Sequence, residues 1–81
     1  MSTVTITNTQ WDTLTLQVRQ GDKQDADANP QVCNELLARG QSKTFNFMLF
    51  LFYRRDGNPD VPNGKFTSWT RCSSDETITN P

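Results

Sequence analysis

The chain opens as an alternation. Thr3-Val4-Thr5-Ile6-Thr7 puts Val4 and Ile6 on one face and threonines on the other, the period-two signature of a half-buried strand. Asn8 to Asp12 breaks the rhythm, and Thr13 to Arg19 resumes it with Leu14, Leu16 and Val18 inward. Two such runs joined by a few polar residues predict an antiparallel hairpin. Trp11 then falls at its tip or just inside the second strand, as a lid over the edge of the core.

The densest apolar stretch is Thr44 to Arg55, which carries Phe45, Phe47, Phe50 and Phe52. It is too short for a transmembrane helix, which needs about 20 apolar residues. Drawn out as one strand, the stretch would reach roughly 40 Å at about 3.3 Å per residue. A chain of this length has a radius of gyration near 12 Å and a diameter of roughly 30 Å, so the run must bend. Phe45 and Phe47 occupy odd positions, Phe50 and Phe52 even ones, and the phase changes near Met48-Leu49. A bulge or a change of sheet there is expected to gather all four rings into one core. From Met48 onward both faces read apolar, as in a central strand covered on both sides. A buried helix is the rival reading, and aromatic enrichment favours the strand.

Between these runs, Gly21 to Asn29 has no large apolar residue and reads as an exposed loop. The segment 30–39 is open to two readings. Asn29-Pro30, Gly40 and the spacing of Val32, Cys33, Leu36 and Leu37 make a helix signature. Leu37 to Phe45, in contrast, resembles the strand-turn-strand entry of immunoglobulin-like sandwiches, and the extended reading is preferred. Asp56 to Gly64 is dense in Pro, Gly, Asn and Asp and predicts a wide loop. Lys65 to Cys72 reads as a strand folding back so that Leu51 lies near Trp69 and Arg55 near Lys65. Thr77-Ile78-Thr79 reads as a short closing edge strand. The expected architecture is a single all-β domain, 1–81, a small antiparallel β-sandwich, with an α+β fold carrying one short helix near 30–39 as the alternative.

Composition narrows the function. Leu, Ile, Val and Phe number 17 of the 81 residues, about 21% and just above the roughly 20% below which disorder is the expectation, so stability is expected to be modest. Eight basic and nine acidic residues leave no basic excess for nucleic acid. Met1 to Ile6 has neither a charged n-region nor an apolar h-region, so an intracellular protein or a mature form is expected, with the cytoplasm slightly favoured. Cys33 and Cys72 read first as small buried hydrophobes.

The absence of histidine removes the commonest general base and zinc ligand, and no catalytic residues or cofactor are expected. Asp25, Asp27 and Asn29, and Asp56, Asn58 and Asp60, space oxygen ligands at alternate positions, as at the opening of a calcium loop. Three oxygens per run fall short of the six or more that calcium takes unless the two loops converge, and turn chemistry accounts for the same residues. Tyr53, Arg54 and Arg55 can meet Trp69 and Arg71 across the proposed hairpin and stack on a sugar or hold an acid. The sequence therefore favours a non-catalytic binding module working through loops 21–29 and 56–64, with Asp56, Asn58, Asp60, Asn63, Tyr53, Arg55, Trp69 and Arg71 as contact residues for a protein or carbohydrate. A self-assembling homo-oligomeric subunit is the second reading and a membrane-active protein the third.

Overall fold

The computed structural model describes residues 2–56, 65–73 and 76–78, the last three by their backbone alone. It is all-β. One sheet contains β1 (Ser2–Asn8), β4 (Ser42–Phe47) and β7 (Glu76–Ile78) in the order β4-β1-β7. The other contains β2 (Thr13–Gly21), β3 (Gln31–Ala38), β5 (Phe50–Arg55) and β6 (Thr70–Arg71) in the order β3-β2-β5-β6. Pairing is antiparallel except where β7 runs parallel to β1. Within segment 30–39, Gln31–Ala38 is thus a strand, as the extended reading required.

Val4 and Ile6 of β1 and Phe47 of β4 meet Leu14, Leu16 and Val18 of β2, Cys33 and Leu37 of β3, and Leu51 of β5, with Cys72 joining them. This is one core between two sheets, as apolar faces must find each other. Trp11 lies half-buried against it, as a lid. Cys33 and Cys72 are buried and no disulfide joins them.

The expected hairpin between Thr3–Thr7 and Thr13–Arg19 does not form. The chain crosses from one sheet to the other at residues 9–12, and Asn8 is the cause. Its fully buried amide accepts from the N–H groups of Gln10 and Trp11 (3.2 and 3.0 Å) and donates to the carbonyls of Trp11 and Leu37 (2.8 and 3.0 Å). Because Leu37 belongs to the opposite sheet, these bonds tie the arch across the sandwich. The partner of β1 is instead β4, and Thr3–Asn46, Thr5–Thr44 and Thr7–Ser42 bond side chain to side chain along the outer face at 2.8 to 3.0 Å.

The aromatic run changes sheet at Met48-Leu49, where a break was expected, and the molecule is 32 Å in its longest dimension. The four rings do not share one core, however. Register pairs Leu16 with Arg55 and Val18 with Tyr53, so inward positions stay odd, with Phe45 and Phe47 on β4 and Leu51, Tyr53 and Arg55 on β5. Phe50 and Phe52 stand on the outer face and stack on each other. The apparent phase change arises because both faces of β5 are apolar. The return strand is also displaced from the expected register. Thr67 N–H donates to the Arg55 carbonyl and Cys72 N–H to that of Leu51, at 3.1 and 2.8 Å.

Candidate binding surfaces

Two regions compete for contact work, and both sit at or beside the β2–β5 pair. The first is the outer face of the four-stranded sheet. Alternation on β5 brings Arg54 there beside Gln17, which accepts from its Nε at 2.7 Å. The Arg54 guanidinium lies 4.4 Å from the Trp69 ring centre and 4.7 Å from that of Phe66. Arg19 lies 5.6 Å from Trp69, and Arg71 lies 4.7 Å from Phe50. The Gly21–Asn29 loop folds back over this layer. Asp27 Oδ1 accepts from Trp69 Nε1 at 2.9 Å, and the Asn29 carbonyl accepts from Arg19 Nη1 at 2.6 Å.

The structure therefore brings together part of the expected aromatic–guanidinium group and divides the rest. Trp69 joins Arg54 and Arg19. Arg71 sits exposed over Phe50, while Tyr53 and Arg55 point inward, half-buried and buried. A ring already engaged by cations and tied through its N–H has less face left to stack on a sugar.

Among the described residues, the oxygen-bearing side chains of the two acidic runs do not converge. Asp25 caps the 3₁₀ turn Ala26–Ala28, accepting from Asp27 N–H at 3.2 Å. Asn29 is buried and its amide bridges Lys23 N–H and the Lys23 carbonyl at 3.1 and 3.0 Å. Gly21 permits that close fit, since a Cβ there would overlap the Asn29 side chain. Asp56 is buried at the other end of β2, where its Oδ1 accepts from Thr15 N–H at 2.7 Å. Gly21 pairs with Phe50 and Leu16 with Arg55, so the two loops leave opposite ends of the same strand pair. Among the described residues no group of three or more acidic or thiol ligands gathers to hold a metal. Asn58, Asp60 and Asn63 lie outside the described residues.

The second region was missed by the sequence reading because its residues were assigned to the core. At the change of sheet, Met48 and Leu49 are 76% and 58% exposed. Together with Gln20, Gly21 and Asp22 they line an open apolar cleft of about 420 Å³. The missing signal was the bend itself: at a two-residue link between stacked sheets both side chains cannot turn inward.

No protein-family model, curated protein or solved structure matches this chain.

Proposed function

We propose that this chain is a non-catalytic binding module for another protein, engaged through the apex formed by Met48, Leu49 and the start of the Gly21–Asn29 loop. The observation that carries the reading is the exposure of two adjacent large apolar side chains over a cleft almost without polar groups. Burying such a side chain is worth about 1.5–3 kcal/mol, and a chain with so few hydrophobic residues has little reason to forgo that at one place. The cleft falls at the small end of the roughly 300–1,000 Å³ range of ligand pockets, room for one or two apolar side chains of a partner. Asp22 and Gln20 at the rim supply the polar edge common in protein contacts. The part of loop 21–29 that serves is thus its beginning, with Asp22, and not the carboxylates of Asp25 and Asp27.

A photo-crosslinker placed at Leu49 identifies the partner in cells. Its binding to the purified domain is expected to weaken at least tenfold in Leu49→Asp and to stay unchanged in Asp25→Ala. A crosslinked partner that binds Leu49→Asp as tightly as the unaltered protein removes the proposal. Co-sedimentation with phosphatidylcholine vesicles that depends on Leu49 would replace it with a membrane-active reading.

A further inference from the structure

We infer that the outer face of the four-stranded sheet, around β5 and β6, holds an acidic peptide segment through Arg54 and Arg71, a surface separate from the Met48–Leu49 cleft. What points to it is where the charges lie. Eight basic and nine acidic residues nearly cancel over the whole chain, but they do not cancel locally. Lys23, Arg39 and Lys43 are each paired with a carboxylate, on Asp22, Asp12 and Glu35 at 3.6, 2.7 and 2.8 Å. Among the described residues neither Arg54 nor Arg71 forms such a pair.

Arg19 and Arg54 share the Trp69 ring, and the carboxylate bonded to its indole N–H, that of Asp27, offsets one of them. Asp25 faces its own turn as the cap of Ala26–Ala28. Arg19 is also committed elsewhere, through Nη1 to the Asn29 carbonyl. Arg71 stands over Phe50 with no acid beside it. Three guanidiniums against one engaged carboxylate leave this layer positive although the chain is not.

The donors of the two remaining cations are open. Arg54 uses Nε on Gln17 and keeps both Nη groups, and Arg71 is exposed and makes no hydrogen bond among the described residues. A guanidinium resting on a ring retains the planar N–H fork that matches a carboxylate. The ring contact also fixes the fork in advance, so less side-chain freedom is lost on binding.

Spacing and stacking select the occupant. Arg54 and the Phe50 beneath Arg71 are four residues apart on one face of β5, roughly 13 Å at about 3.3 Å per residue. An extended peptide returns to the same face at the same interval, so acidic residues at positions i and i+4 span the two guanidiniums. Single-stranded nucleic acid would need open rings on which to stack its bases, and Phe50, Phe66 and Trp69 already carry guanidiniums.

NMR titration of the isotope-labelled full chain with decaglutamate in low salt tests this. Shifts are expected at the Trp69 indole N–H and at the Arg54 and Arg71 amides, fading in molar salt, and decaglutamine is expected to give none. Arg71→Gln is expected to weaken binding at least fivefold with an unchanged melt, because Arg71 is exposed. Arg39→Gln, whose cation is already paired with Asp12, is expected to bind like the unaltered chain. No shift on this face, an equal loss in Arg39→Gln and Arg71→Gln, or tighter binding of decathymidylate than of decaglutamate overturns the proposal. Leu49→Ser is expected to leave decaglutamate binding intact, which separates this result from failure of the apex reading.

Discussion

The two halves of the aromatic run have similar compositions and different surroundings. In β4, only one face is apolar. Phe45 and Phe47 point into the sandwich, while Thr44 and Asn46 join the hydroxyl and amide ladder shared with β1. In β5 the inner face carries Leu51, Tyr53 and Arg55, and the outer face carries Phe50, Phe52 and Arg54 under a cover of aromatic and guanidinium groups. A strand whose outer face meets water needs strict alternation, whereas one whose outer face is covered can be apolar throughout. Equal rings a few residues apart therefore differ in what they hold together.

Phe47 and Phe50 give the sharpest test of that difference. Phe47 is 5% exposed and belongs to the core, so Phe47→Ala is expected to cost about 3–5 kcal/mol. A domain of this size has about 5–10 kcal/mol in total, and much of that would go. Phe50 is only half-buried, against Phe52 and Arg71, and Phe50→Ala is expected to cost about 1–2 kcal/mol, less than full burial of such a ring would give. Denaturant melts of the two variants decide it. Equal losses would mean that the outer layer packs as tightly as the core, and the contrast between the halves would vanish.

The halves also differ in how their ends are tied. The β4 ladder is spread over exposed hydroxyls, each pair worth about 0.2–1 kcal/mol. The end of β5 is tied to β2 through a buried carboxylate, that of Asp56 on Thr15 N–H, beside backbone bonds to Thr15 and Thr67. Asp56→Ala is expected to lower stability by about 1.5–3 kcal/mol, the range for a hydrogen bond to a charged group, and to speed amide exchange at Thr15. Unchanged stability would return Asp56 to the list of residues available for ligand contact.

What the sequence disclosed follows from which of these patterns are local. Val4 and Ile6, and Leu14, Leu16 and Val18, alternate against polar neighbours, so their strands and their inward faces were legible. That the aromatic run must bend was legible from length, because twelve extended residues do not fit the molecule, whereas its placement at Met48-Leu49 was read from a phase change that β5 does not in fact make. The parity of Phe50 and Phe52 was not legible, since two apolar faces give no phase to read. The hairpin expected from β1 and β2 failed on a residue whose effect is non-local: Asn8 resembles any turn asparagine until its donor is seen on Leu37. Trp69 and Arg54 were expected to meet across a return of the chain beside β5, and the segment just before β6 does bring them together. Asp27, which completes their cluster, comes from a loop 42 positions away from Trp69, and spacing along the chain carries no sign of it.

The smallest expected effect concerns the rim where β3 and β4 face each other. Lys43 holds the Glu35 carboxyl below its ordinary value of 4.5, and Glu35 in turn holds the Lys43 amine above its ordinary 10.5. A depressed carboxyl contributes stability above its unfolded value and loses it as pH falls through the lower folded value. A raised amine contributes below its unfolded value and loses it as pH rises through the higher folded one. The pair therefore works from about pH 4.5 to 10.5 and fades on either side. Both groups are solvated, so screening keeps the effect small. Melting temperatures of the unaltered protein and Glu35→Gln are expected to differ slightly at neutral pH in low salt. That difference should shrink at pH 3 and again in molar salt. A gap that persists at pH 3 would show that Glu35 acts through packing beside Cys33 and not through its charge, and the two sheets would then be joined at this rim by contact alone.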